Sequence, residues 1–179
     1  MANVLLAAGA SVALFKAAAF ASRATQRGHR VRCILTANAA ELIAPQLFEA
    51  LTGEPAFVRE FGDTRTNAMD HIDLARWGDA LLVAPATADL VSRLALGLGG
   101  DLVTTVALAF EPGKPRLVAP AMNPTMLAQR PIQRHRATLV EDGWVWLDAD
   151  EGRLACGDEG AGRLLEPEEL VRRLEAALA

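Results

Sequence analysis

Three side chains stand where their chemistry could matter. His71 opens the stretch His71-Ile72-Asp73-Leu74-Ala75-Arg76-Trp77, directly after Asp70. An imidazole exchanges protons near neutral pH, although a histidine in such a place also serves as a surface or capping residue. Asn123 follows the run Ala119-Pro120-Ala121-Met122. Its amide can cap or turn the chain, or donate an N–H to a carboxylate. Cys156 is the oddest of the three. A free cysteine is ordinarily a small buried hydrophobe, yet between Arg153 and Leu165 this one stands among three glycines, two acids and two arginines, with no apolar period. A thiol with a pKa of about 8.5 is mostly protonated at neutral pH and can act as an acid. An incidental exposed thiol fits the same residues equally well. Arg153 and Arg163 are either solvated loop charges or partners for a phosphate, which guanidinium groups contact in bidentate fashion.

Positioning these groups falls to a series of alternating elements. Five apolar runs of strand length cover 3–8, 30–36, 80–86, 115–121 and 144–147. Helical patterns lie between and after them. One spans 12–27 and stops at Gly28, and one spans 87–98 and stops at Gly99-Gly100. Asp101 is placed to cap a helix over 102–110. Further helices follow at 131–142, opened by Pro131, and at 166–178, with Pro167 in the first turn. Strands alternating with helices imply an α/β, Rossmann-like, three-layer fold with a parallel doubly wound sheet. The 179 residues suit one domain over 1–179. The sequence Leu-Val-Ala-Pro-Ala occurs at 82–86 and again at 117–121. Each proline removes a ladder donor, so pairing is expected to stop there.

Open parallel sheets bind ligands beyond the carboxyl ends of their strands. The residues at those ends are Gly9-Ala10-Ser11, Thr36-Ala37-Asn38, Thr87-Ala88-Asp89, Met122-Asn123 and finally the Cys156 stretch. Small residues and hydroxyls before helices suit a phosphate, because N–H groups converge there and the helix dipole favours an anion. The chain lacks G-x-G-x-x-G, an acid ending the second strand, and a P-loop. A mononucleotide or phosphorylated cofactor is therefore expected rather than a dinucleotide. The Gly-rich segment 150–163 is longer than an ordinary connection and reads as a flexible lid over the substrate.

Composition narrows the classes. Net charge is −4 and no basic run occurs, so nucleic acid is not an expected partner. No apolar stretch reaches the ~18 residues of a membrane span. The apolar start lacks a basic leader and is read as strand and helix, hence a cytoplasmic protein. Cys33 and Cys156 form no disulfide framework, and no metal-ligand spacing occurs. Cys33 is expected in the core, while His29 and His135 are expected to be solvated.

Four segments occur in an order that resembles the FMN-dependent cysteine decarboxylase flavoproteins. They are His71-Ile72-Asp73-Leu74, Ala84-Pro85-Ala86-Thr87-Ala88-Asp89, Pro120-Ala121-Met122-Asn123-Pro124-Thr125-Met126 and Ala155-Cys156-Gly157-Asp158. The resemblance covers nearly the whole chain and implies an FMN-binding lyase. It implies cofactor contacts at Ala10, Ser11, Val12, Thr36, Asn38, Thr87, Ala88, Asp89 and Ala121. It also implies His71 as the catalytic histidine, Asn123 as the carboxylate-binding group and Cys156 as the proton donor, with Met122 and Arg163 toward the substrate. Ala10 stands where the family has a glycine, and Leu127 where an aromatic often follows. The implied reaction is decarboxylation of 4′-phosphopantothenoylcysteine to 4′-phosphopantetheine, a step of coenzyme A biosynthesis. The implied assembly is a trimer, or a dodecamer of trimers, with the flavin near a subunit interface. The ligase that many members carry is not expected here. Alternatives are an oxidative decarboxylase of peptidyl C-terminal cysteine, which does not need the lid cysteine, and a non-catalytic FMN-binding regulatory subunit, which usually carries acidic tails. A Ser-His-Asp hydrolase is disfavoured because no nucleophile elbow occurs.

Overall fold

The structure is a computed structural model that describes residues 1–60, 69–153, 157 and 159–179. The chain begins with β1 (Asn3–Ala8), α1 (Leu14–Gln26), β2 (Arg30–Leu35), α2 (Ala37–Leu42), α3 (Pro45–Thr52) and β3 (Ala56–Phe57). It continues through α4 (Asp70–Trp77), β4 (Ala80–Ala86), α5 (Ala88–Ala95), α6 (Leu102–Ala109), β5 (Arg116–Pro120) and α7 (Pro124–Leu127). The last elements are α8 (Arg130–Glu141), β6 (Val145–Trp146), β7 (Asp150–Arg153), β8 (Glu159–Arg163) and α9 (Pro167–Leu178).

Six strands form a parallel sheet in the order β3-β2-β1-β4-β5-β6. A strand covered on both faces must be apolar at successive positions, and β1 and β4 are. Val4, Leu6 and Ala8 of β1 pack with α1, α3 and α9 on one face; Leu5 and Ala7 pack with α4, α5 and α6 on the other. Ala17, Ala18, Ala21 and Ala24 of α1 join the same core as Ala8 and Ala84, so small residues face small residues and the helix can lie close to the sheet. Connections run from β1 outward to β3, then restart on the other side at β4. The crevice between the carboxyl ends of β1 and β4 is therefore the topological switch point.

Asp101 caps α6 as expected. Its side chain accepts from the Thr104 backbone N–H at 2.9 Å, and the Thr104 hydroxyl accepts from the Asp101 backbone N–H at 3.2 Å, a reciprocal capping box. Arg93 adds an ion pair at 2.6 Å. Partial burial alone would raise the Asp101 carboxyl, but the Thr104 N–H and Arg93 outweigh it and hold it below its ordinary value of 3.8. Because the folded value lies below the unfolded one, this stabilisation is complete above pH 3.8 and is lost as pH falls through the folded value. We expect Asp101→Ala to cost about 1–2 kcal/mol and ~2–8 °C in Tm. Asp101→Asn keeps a cap but not the charge, so its deficit should shrink as thermal melts are taken from neutral pH to below pH 3.8.

Several expectations need correction. The prolines do not end pairing: the β4–β5 register shifts between Val83 and Ala86, and Ala86 still lies opposite Pro120. His29 is buried, not solvated, and its Nε2 lies 3.4 Å from Glu175 of α9. The segment read as a flexible loop has a paired stem, since β7 and β8 form an antiparallel ladder from Asp150↔Arg163 to Arg153↔Glu159. Cys33 does lie in the core, where burial pushes its thiol pKa up and makes it a poor nucleophile. Among the described residues, no helix is long and apolar enough to cross a membrane.

Candidate functional site

The carboxyl edge of the sheet is closed by backbone contacts at the switch point. The Gly9 N–H donates to the Pro85 carbonyl at 2.9 Å. A Cβ on Gly9 would stand 3.0 Å from that oxygen and 3.2 Å from Thr87 Cγ2, so only glycine lets the end of β1 approach β4 this closely. Ala10 and Ser11 follow on the rim. The Ser11 hydroxyl accepts from the Ala13 N–H at 3.2 Å, Thr36 from Ala39 at 3.2 Å, and Thr87 from Leu90 at 3.3 Å. Each hydroxyl oxygen thus fixes the turn into its helix, and each O–H proton remains available for donation to an anion.

Two clefts open on this edge. The larger, about 820 Å³, is lined by Ala10, Thr36, Asn38, Thr87, Ala88 and Asp89, together with Arg59, Glu60, Arg93 and Asp101. The smaller, about 510 Å³, is lined by Ser11, Val12, Phe15, Lys16, Ala121, Met122, Asn123, Arg153 and Arg163. All nine residues expected at the cofactor therefore line one cleft or the other, and the boundary falls between Ala10 and Ser11. Met122 and Arg163 share the smaller cleft with Asn123.

Local sequence explains the smaller cleft. After β5 the Ala121 N–H donates to Ala86 at 3.0 Å and the Met122 N–H to Gly162 at 3.1 Å, which ties β8 to the sheet edge. Asn123 Oδ1 accepts from the Thr125 N–H at 2.8 Å and caps α7. Asn123 is therefore the capping residue that its type suggests, and this contact sets which end of the amide accepts and which donates. Gly152 has φ 144°, and a Cβ there would stand 2.6 Å from the Arg163 guanidinium. Glycine thus lets the Arg163 side chain lie across β7. Arg163 also pairs with Glu166 at 3.1 Å.

Sequence reasoning missed Lys16. It is 6% exposed, and its Nζ donates to the Leu164 carbonyl at 2.7 Å and pairs with Glu166 at 2.8 Å. A single lysine on the Ala-rich face of α1 was the available signal. Its partner Glu166 lies 150 positions away in the chain, so local sequence does not show the pair. The Asp89–Arg93–Asp101 chain, with contacts of 2.9 and 2.6 Å, was also missed; the i,i+4 spacing of Asp89 and Arg93 was the signal for its first link.

His71 lies in the first turn of α4, apart from both sets of cleft-lining residues. Its Nδ1 is buried against the Glu60 carboxylate, which does line the larger cleft. Cys156 lies outside the described residues; its neighbour Arg153, at the end of β7, lines the smaller cleft. Among the described residues, no group of His, Cys, Asp and Glu could hold a metal ion.

These residues fit a flavin mononucleotide. Hydroxyls stand at three strand ends, the larger cleft is of cofactor size, and Gly9 keeps the switch point tight. Ser11, Thr36 and Thr87 would hold the phosphate and ribityl hydroxyls, with Ala10, Val12, Asn38, Ala88, Asp89 and Ala121 lining the rest.

Comparison with known proteins agrees. The Flavoprotein family profile matches residues 1–179. The chain is 38% identical over 177 residues to the coenzyme A biosynthesis bifunctional protein CoaBC of Bacillus subtilis, covering 99% of this chain and 43% of that protein. It is 40% identical over 173 residues to CoaBC of Vibrio cholerae, covering 97% and 43%. The chain thus spans less than half the length of these curated relatives. A PPC decarboxylase mutant complexed with pantothenoylaminoethenethiol is similar in structure, with a TM-score of 0.85 and 28% identity over 98% of this chain and 97% of that one. The FMN-dependent cysteine decarboxylase SpaF gives 0.81 and 27% identity over 100% and 98%. With its six-stranded Rossmann-like sheet and this full-length homology, the chain belongs to the Flavoprotein family and is homologous to FMN-dependent cysteine decarboxylases.

Proposed function

We propose that this protein is an FMN-dependent lyase that decarboxylates 4′-phosphopantothenoylcysteine to 4′-phosphopantetheine in the cytoplasm, as a step of coenzyme A biosynthesis. One observation carries the reading: a hydroxyl-lined cleft adjoins a cationic one, with Asn123 in the latter, in a chain of this family. A simple cysteine carboxylate does not lose CO₂ readily, because the carbanion left behind has nowhere to go. Bound FMN supplies the two-electron chemistry that creates an electron sink beside the carboxylate. The chain's own groups do the rest. Asn123 donates to the substrate carboxylate and orients it. Arg153 and Arg163 meet the phosphate as bidentate donors, and Lys16, bonded to the Leu164 carbonyl and Glu166, holds the end of β8 in place. His71 moves a proton in the first, oxidative half, and Cys156 delivers one to the substrate carbon at the end. The stem of the hairpin, tied to the sheet through Gly162 and Met122, carries Arg153 and Arg163 on the lining of the smaller cleft.

The experiment is direct. Purified protein should be yellow, or become so with FMN, and should convert 4′-phosphopantothenoylcysteine to 4′-phosphopantetheine with release of CO₂. A protein that stays colourless with FMN added removes the basis of the reading. Turnover of a peptide ending in cysteine, with none of the phosphorylated substrate, would favour the peptidyl-cysteine reaction instead.

We also propose a closed oligomer built on three-fold symmetry, a trimer or a dodecamer of trimers. Val12 and Phe15, 72% and 61% exposed at the mouth of the smaller cleft, are apolar residues such an assembly would cover. Light scattering should return a multiple of three protomers; a monomer at working concentration counts against it.

A further inference from the structure

We infer that Glu60 is the positioning residue for His71, holding its proton on Nδ1 and so leaving Nε2 with its lone pair as the proton acceptor. The inference rests on the catalytic reading of His71 and adds a residue to it. His71 Nδ1 is buried, makes no aligned hydrogen bond, and has the Glu60 carboxylate set against it as an ion-pair contact. The two side chains are 24% and 17% exposed, so the contact is largely withdrawn from solvent. A carboxylate can only accept from a neutral ring, and it therefore selects the tautomer that carries hydrogen on the nitrogen it faces. The opposite nitrogen is left with its lone pair. The same carboxylate stabilises the imidazolium once Nε2 has taken a proton, which is the logic by which buried acids support histidine bases.

The surroundings favour this role over a surface ion pair. Glu60 lines the larger cleft, and His71, in the first turn of α4, turns its Nδ1 to that carboxylate. Other charged groups lie on the same cleft and on α4. Asp101 and Asp89 are engaged with Arg93. Asp70 and Asp73 lie on α4 itself, and Arg59 precedes Glu60 in the chain and lines the cleft with it. Asp70 is 4% exposed and belongs to the first turn of α4, where an acid complements the helix dipole.

The test has two arms that do not depend on each other. Ring nitrogen shifts of His71, measured by ¹⁵N NMR on the intact protein, should show the Nδ1–H tautomer in the wild type and in Glu60→Gln, where the amide oxygen still accepts. They should show a mixture of tautomers in Glu60→Ala. An unchanged tautomer in Glu60→Ala overturns the inference. In steady-state decarboxylation, Glu60→Ala should lower kcat by about tenfold or more with KM changed less than about twofold. Glu60→Asp should recover part of the loss. In a His71→Asn background the Glu60→Ala change should cost nothing further, because a positioning residue acts only through the group it positions. A full additional loss in that background overturns the inference. Wild-type turnover in His71→Asn alone would instead remove the catalytic reading of His71, and the NMR arm would still decide whether Glu60 sets the tautomer.

Discussion

Replacing His71 with asparagine is expected to abolish CO₂ release while leaving FMN bound. The substitution removes the imidazole that α4 sets against Glu60, yet it touches none of Ser11, Thr36 or Thr87. General acid–base groups typically contribute ~10²–10⁴-fold, so the loss should be obvious against wild type in a CO₂-trapping assay. The visible absorption of the variant, with the flavin bound in normal proportion, separates this outcome from a folding defect. Turnover at the normal rate would show that the histidine is structural and that its contact with Glu60 merely holds α4 to the preceding segment.

Cys156→Ser should split the reaction in two. Oxidation and loss of CO₂ depend on FMN, His71 and Asn123, none of which the change removes. The last step needs an acid at the substrate carbon, and a serine hydroxyl is a far weaker acid than a thiol. CO₂ should therefore still appear, up to one equivalent per bound flavin, which keeps the electron pair, while 4′-phosphopantetheine formation falls by ~10²–10⁴-fold and the oxidised ene-thiol is left in the same amount. Mass spectrometry of the products distinguishes the two species by two hydrogens. If the variant makes 4′-phosphopantetheine at the normal rate, Cys156 is not the proton donor.

The two experiments probe different parts of the molecule. His71 is held by a helix that packs on the core, through Leu74 and Ala75. Cys156 falls in the sequence between β7 and β8, and β8 is tied to the sheet edge through Gly162 and Met122. A result in which one variant behaves as expected and the other does not would therefore locate the error in one element and leave the fold and cofactor reading standing.

Much of the architecture follows from local sequence. Strand β4 is apolar at every position and β1, β2 and β5 are so apart from Asn3, Arg30, Arg32 and Arg116, because both faces of the sheet are covered, and that pattern is visible without a structure. The bounds of α1, α5 and α6 follow from Gly28, Thr87 and Asp101, because caps and stops act within one turn of the helix. The residues after each strand were legible as a ligand edge for the same reason: a parallel sheet leaves no other place for them. Local sequence is silent where structure is carried by backbone pairing or by contacts across the chain. β3 is two residues long, too short for any period. β7 and β8 contain Gly152, Gly160 and Gly162 and no apolar alternation, so nothing but the ladder itself makes them strands. His29 against Glu175, Lys16 against Glu166 and Glu60 against His71 each join residues 11 to 150 positions apart. The partition of the edge into two clefts belongs with them. It depends on how closely Gly9 approaches Pro85 and where Gly152 lets Arg163 lie, and those are distances that only the packed tertiary structure decides.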